Sequence, residues 1–324
     1  MLTWLRAFHA RNGLGLAAFM LGAVALWILV MIVLPQLFML DFSFRHNWQQ
    51  IDPSRMGGPE DVYTMVNYHF LAFGSPNNPD PFNVVDVTVF FRTILAAVFV
   101  TLFDLALCYP IAYYLAQVAR GGKARLLVLS LIIPFWVNEL LRAFAFRILF
   151  GDEGTINALL MGLGILSEPI DFVRENVALY AGLGYAYILL MIFPIYNVIE
   201  SLDKNQIEAA RDLGASWIKI HRRVVIPFAK PGITSGCTMV FMLSAGALAA
   251  PQILGGPSSL WFTQIIYQWF NTGSNWPRGS AYAIVLMVTC VLLVLLVMRV
   301  FKVKIDRKST RLNSSHSSVS RMPS

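Results

Sequence analysis

Six apolar runs divide the chain, each bounded by polar residues: Gly13–Leu40, Val87–Gln117, Leu126–Phe150, Val177–Val198, Pro231–Gly255 and Ala281–Phe301. A hydrocarbon core about 30 Å thick takes about 20 apolar residues in helical form. A continuous run of that length in lipid is helical because a helix satisfies its own backbone groups. The pattern therefore predicts an all-α membrane protein with six transmembrane helices. The first run follows Arg6 and Arg11, as the apolar part of a signal peptide would. It is too long for that role and lacks a small-x-small cleavage site before Asp41, so it reads as a retained helix. Pro110, Pro134, Pro194 and Pro251 fall inside runs, where each removes a backbone hydrogen bond and predicts a kink. Gly232 and Gly236 form a GxxxG pair, which predicts close helix packing in the fifth span.

The connections carry the orientation, since lysine and arginine in short loops stay on the cytoplasmic side. Arg6 and Arg11, Arg120 to Arg125, Lys204 to Lys230, and Arg299 to Lys304 place both termini and the 200–230 loop in the cytoplasm. The opposite side is acidic, with Asp41, Asp52, Asp61, Asp86, Asp152, Glu153, Glu168 and Asp171. A short apolar piece on that side, "VNYHFLAF", is expected at the interface or capping the bundle, and "GTINALLMGLGI" after the third span reads as a short helix outside or half-embedded.

Composition agrees with a membrane protein. Only 13% of residues are charged and 57% are hydrophobic, with a mean hydropathy of +0.62, whereas soluble domains carry roughly 25% charged residues. Cys108, Cys237 and Cys290 lie far apart inside runs, so no disulfide framework is predicted, and His46, His69 and His221 have no metal-ligand spacing. Residues 306–324 break the pattern with "DRKSTRLNSSHSSVSRMPS". Asp306–His316 reads as the one-frame translation of a sequencing adapter, so this tail is taken as non-native or disordered and set apart from residues 1–305. Without it the formal charge falls from +7 to +4, and the basicity carries no nucleic-acid reading.

One loop stands out. Glu208–Pro227, "EAARDLGASWIKIHRRVVIP", is charged and helix-patterned between two apolar spans. Asp203 is placed to cap a helix, with Gln206 three residues on. Ile207, Ala210, Leu213, Trp217, Ile220 and Val224 recur at spacings of three and four, predicting one apolar face. Gly214 inside that pattern costs about 1 kcal/mol against alanine, so the site needs a close approach or a break into two helices. Pro227 and Pro231 are expected to stop the pattern before the fifth span. Such a helix either lies on anionic lipid or inserts into a groove of a partner protein.

Three residues within spans are candidates for a solute route. Asp104 lies mid-span, and Trp136 and Glu139 follow Pro134. Ionisable groups in the membrane cost at least about 2.5 kcal/mol on insertion scales and face partners or water. Glu139 and Asp104 therefore line a route for a cation, with Trp136 as a cation–π surface, or they serve structure instead, Glu139 by pairing with Arg142 at i,i+3 and Asp104 by burial with a hydroxyl donor.

The order E-A-A, three residues, G, nine residues, then V-x-I-P resembles the EAA loop of bacterial ABC importer permeases. "PFWVNELLRAFAFRILFGDEGTINALL" at Pro134–Leu160 and "PQILGGP" at Pro251–Pro257 are similar to the spermidine/putrescine subgroup. The likeness covers nearly all of Leu2–Ile305. It implies the type I (MetI-like) permease fold in a multi-pass protein of the bacterial inner membrane, moving polyamines or a similar small solute. It also implies separate ATPase subunits, a second permease subunit and an extracytoplasmic solute-binding protein, with membrane lipid around the spans. By position Glu208, Ala209, Ala210 and Gly214 would form the ATPase-docking turn, with Pro227 closing the motif. The chain has no GxxxxGK[ST] phosphate loop, so ATP is expected to be used by the partner, with no cofactor bound here and no catalytic residues. An ion-gradient-driven transporter, or a membrane scaffold or sensor, is the rival reading.

Overall fold

The apolar runs become helices, but two of them do not become single straight spans. The computed structural model describes residues 14–55, 58–59, 61–75, 82–256 and 259–301. The flanking charges Arg6, Arg11, Lys302 and Lys304, Pro257 of the "PQILGGP" motif, and the tail 306–324 lie outside the described residues.

The first helix, α1, runs Leu14–Ile28 and Leu34–Ser43 through a π-turn at Leu29–Val33. A short outer helix, α2 (Val66–Phe73), coincides with the "VNYHFLAF" piece. It is tied to the end of α1 by Asn67, whose amide donates to the carbonyls of Ser43 (3.0 Å) and Arg45 (2.8 Å), and by the Tyr68 hydroxyl on Ser43 Oγ. The guanidinium of Arg278 inserts between the rings of Phe70 (3.5 Å) and Trp269 (4.6 Å), fixing α2 over the bundle. Outside the spans Arg45 holds Asp41 at 2.7 Å and Asp61 at 3.3 Å, and the Asp41 carboxylate raises the arginine's already high pKa.

Three long helices make the centre: α3 (Val84–Tyr113, continued by a π-turn at Tyr114–Val118), α7 (Val177–Glu200) and α10 (Ile226–Ala245). Their contacts bury Val100 and Cys108 of α3, Leu183, Met191, Ile195 and Ile199 of α7, and Ala229, Ile233 and Val240 of α10. The GxxxG pair lets α7 and α10 approach closely. A Cβ on Gly232 would strike the carbonyl oxygen of Pro194, and one on Gly236 would lie 2.9 Å from Met191 Sδ. A second, outer core joins α3 and α10 to α12 (Phe262–Phe270) and α13 (Trp276–Val300) through Phe241, Phe262, Tyr282 and Leu286.

The third run, expected as one span over Leu126–Phe150, is broken. α4 (Gly121–Phe135) and α5 (Glu139–Leu149) meet at 91°. Pro134 ends the first helix and Asn138 starts the second, its side chain accepting from the Leu140 N–H at 2.8 Å. Among the described residues five helices are long and apolar enough to cross a membrane by themselves, and this bent pair makes the sixth crossing if counted as one. Within the chain α4 buries no residue. The Glu139–Arg142 pair is not formed; Arg142 lies over the Phe135 ring at 5.5 Å, across the bend. After α6 (Thr155–Gly162) and α7 comes the charged loop, with α8 (Lys204–Asp212) and α9 (Trp217–Ile220).

The fifth run, expected over Pro231–Gly255, is displaced toward the N-terminus. Helix runs from Trp217 through a π-turn at His221–Val225 into α10 and ends at Ala245, and the rest becomes the short α11 (Ala249–Leu254). Neither Pro227 nor Pro231 stops the helix: Pro227 sits in the first turn after the π-turn, where its missing N–H costs little, and Pro231 lies inside α10.

Candidate functional site

The loop between α7 and α10 is built by local rules at both ends. Asp203 caps α8, its carboxylate accepting from the Asn205 N–H at 3.0 Å. At the other end the Gly214 N–H donates to the Arg211 carbonyl (2.9 Å) and the Ala215 N–H to the Ala210 carbonyl (3.1 Å). This pair of bonds is the Schellman ending, and it needs a residue with positive φ at Gly214, which has φ +73°. Gly214 is therefore the break between two helices; its Cβ position is open, with nothing within 4 Å.

The break divides the apolar face. Ile207 and Ile220 are buried, Ala210 and Ala215 pack against the same inner core, and Val224 is half-buried. Leu213 and Trp217, expected on that face, point outward instead, because the left-handed residue between them turns the chain. Leu213 is 88% exposed, Trp217 65% and the adjoining Ile218 72%. Glu208 and Ala209 are exposed on the same loop. The result is a loop with an exposed apolar tip and basic flanks, Lys219, Arg222 and Arg223. A buried leucine gains about 1.5–3 kcal/mol over an exposed one, so such a tip favours a partner.

The chain's relatives supply the partner's class. Residues 88–310 match the family described as "Binding-protein-dependent transport system inner membrane component". The chain belongs to that family. It is thus a permease subunit of a binding-protein-dependent ABC importer, a multi-pass inner-membrane protein whose ATP is hydrolysed by a separate subunit. It is 31% identical to the spermidine/putrescine transport system permease protein PotB of Haemophilus influenzae over 282 residues, 87% of this chain and 92% of that one. With the protein of the same name from Escherichia coli K12 it shares 32% over 280 residues, 86% and 96% of the two chains. The fold matches a bacterial ABC transporter involved in the import of the acidic polysaccharide alginate, with TM-score 0.69 and 15% identity over 93% of this chain and 99% of that one. Together these set the type I importer permease fold expected from the EAA loop.

In this permease the span candidates lie in two different settings. Trp136 (84% exposed) and Glu139 stand at the bend between α4 and α5, uncovered by the rest of the chain. Asp104 is fully buried between α3 and α7, where a Cβ on Gly184 would come within 2.9 Å of Oδ1, and neither of its oxygens has a hydrogen-bond partner. Asp104 is therefore not brought together with Trp136 and Glu139 on one surface in this conformation.

Two supports are not evident from the sequence reading. Arg147 of α5 donates to the Ile253 carbonyl of α11, holding the bent pair onto the chain. His221, weighed there only as a metal ligand, is buried at the root of the loop, with Nδ1 2.8 Å from the Tyr109 hydroxyl. The i,i+4 spacings Tyr109/Tyr113 and Trp217/His221 are the available signal, since each pair shares one helix face.

Proposed function

We propose that this permease forms half of a pore for polyamines of the spermidine/putrescine kind, or a similar small cation, and receives its ATPase on the Glu208–Pro227 loop. The observation that carries the docking reading is the Schellman-capped turn at Gly214, which holds Leu213, Trp217 and Ile218 bare in a fixed direction. Glu208, Ala209 and Ala210 stand in the last part of α8, ahead of the turn at Gly214, and Pro227 lies in the first turn of α10, which leads into the membrane. The substrate reading rests on the two spermidine/putrescine relatives, each aligned over most of both chains. A second, related permease completes the pore against the face of α4 that this chain leaves uncovered, a pair of ATPases sits below, and an extracytoplasmic binding protein delivers solute.

For the route itself the bend at Trp136–Asn138 is the supported place. A broken helix at membrane depth is tolerated where it is buried in protein or lines a water-filled cavity, and an aromatic face beside a carboxylate suits an ammonium group. The assembled transporter with its binding protein, in proteoliposomes loaded with ATP, is expected to accumulate labelled putrescine or spermidine. Glu139→Gln is expected to lower that uptake about tenfold, the cost of one ion pair lost from a partly desolvated site. Asp104→Asn, which keeps the shape of a group sealed away from the bend, is expected to stay within about twofold. Equal losses in both variants would put Asp104 on the route after all, and uptake of a sugar acid in place of the amines would overturn the substrate assignment.

Residues 1–305 are proposed as the whole transmembrane permease domain. A chain ending at Ile305 is expected to assemble and transport as the longer one does, measured by co-purification and uptake; a drop in either would give the 306–324 tail a role.

A further inference from the structure

The loop is joined through the backbone to α7 on one side and α10 on the other. Its tie to α3 is made by side chains. The His221 ring is buried against Tyr113, with centroids 4.3 Å apart, and its Nδ1 shares a hydrogen bond with the Tyr109 hydroxyl. On its other side it meets the Trp217 ring at 4.0 Å. Trp217 thus has two contacts of different kinds: most of its surface stands in the exposed tip, and one flank rests on His221. The path from the tip to α3 is therefore continuous, Trp217 to His221 to Tyr109 and Tyr113, with no gap wider than ring contact.

Two features argue that this contact does more than fill space. His221 Nε2 is buried without a hydrogen-bond partner, a cost that leucine or phenylalanine at the position would avoid. Both helices also widen into π-turns where they meet, at Tyr114–Val118 directly after Tyr113 and at His221–Val225. Single π-turns are rare and cluster at functional sites, where the extra residue gives local freedom to shift register. The first π-turn is held from another side as well, since Gln117 donates to the carbonyls of Ile199 (2.7 Å) and Leu202 (3.3 Å) at the end of α7. The cytoplasmic end of α3 is thereby clasped by both arms of the loop.

We infer that His221 is a positioning residue that passes displacement of the docked loop to α3, with Trp217 as the receiving surface and Tyr109 as the bonded contact. Coupling between sites needs an element whose equilibrium both can bias, and a chain of packed side chains is one that can carry it. The inference rests on the docking reading, and its test is arranged to separate the two. The complete transporter is reconstituted with binding protein and putrescine, and solute imported per ATP hydrolysed is measured alongside ATPase co-purification.

Tyr109→Phe removes one oxygen and His221→Phe removes the other half of the same bond. Each is expected to lower solute imported per ATP about five- to tenfold, the scale of one lost hydrogen bond, while the ATPase subunits still co-purify. The double variant is expected to be no worse than either single, because both delete one contact. His221→Asn, whose side-chain oxygen can take the place of Nδ1 opposite the tyrosine, is expected to recover most of the ratio. A ratio unchanged in Tyr109→Phe, or single effects that multiply in the double variant, would overturn the inference. ATPase retained by a variant with a charged tip, Leu213→Glu, would instead defeat the docking reading and leave the His221 contact to be judged by the ratio alone.

Discussion

Gly214→Pro is expected to leave the permease inserted and folded but unable to retain its ATPase. Gly214 has φ +73° and donates its N–H to Arg211. Proline fixes φ near −65° and has no N–H to give, and it also pushes the preceding Leu213 toward extended backbone, away from the φ −77°, ψ 11° it adopts as the C-cap. The turn cannot close, so Leu213 and Trp217 lose their fixed direction. Gly214→Ala separates conformation from crowding. No atom lies within 4 Å of the added Cβ, so its cost is only the roughly 1 kcal/mol of left-handed backbone, a few-fold weakening at most. Leu213→Glu probes the tip by itself. The side chain is already 88% exposed, so stability is expected to hold, while losing an apolar anchor worth about 1.5–3 kcal/mol weakens docking roughly 10- to 100-fold. Co-purification of the ATPase with each membrane-inserted variant, alongside its melting temperature, reads out both. Full retention in Gly214→Pro would remove the loop from the coupling.

The largest effect on stability is expected at Gly232. Gly232→Leu sets a four-carbon side chain where even a Cβ meets the backbone carbonyl of Pro194 and lies 3.0 Å from Val198 Cγ2. A backbone oxygen in α7 cannot rotate aside as a side chain can, so α7 and α10 must move apart. Overpacking of this kind costs about 1–3 kcal/mol where the core can adjust, and a rigid helix pair adjusts poorly. The expected result is a melting temperature lower by several degrees in detergent, with loss of assembly at physiological temperature. Gly22→Ala serves as the comparison. Nothing lies within 4 Å of its Cβ, and alanine is the better helix former by about 1 kcal/mol, so no loss is expected. Equal melting of Gly232→Leu and the parent chain would show that α7 and α10 are not held at this crossing.

Much of this is legible in the sequence because it is local. The Asp203 cap and the break into two helices at Gly214 each follow from a few neighbouring residues, and each stands in the structure where those residues place it. Sequence and structure diverge where a local rule is extended across a break. The periodic face of the loop continues through Gly214 on paper, although a left-handed residue there redirects Leu213 and Trp217. The third run reads as one helix because hydropathy averages over Asn138 and Glu139, while the cap that Asn138 makes turns the chain by 91°. Pro227 reads as a stop because the π-turn that precedes it has no sequence signature. The seat of Asp104 against Gly184 joins residues 80 positions apart, a proximity that one sequence does not encode visibly.

The unbroken winding from Trp217 to Ala245 has a mechanical consequence. Twenty-nine residues make a rod about 43 Å long at 1.5 Å per residue. Pivoted near its inner end, a rock of about 5° sweeps the outer end by roughly 4 Å, enough to separate touching van der Waals surfaces and admit water between them. Leverage alone would thus enlarge a small shift of the loop at the rod's outer end, with the π-turn at His221–Val225 lying next to the pivot.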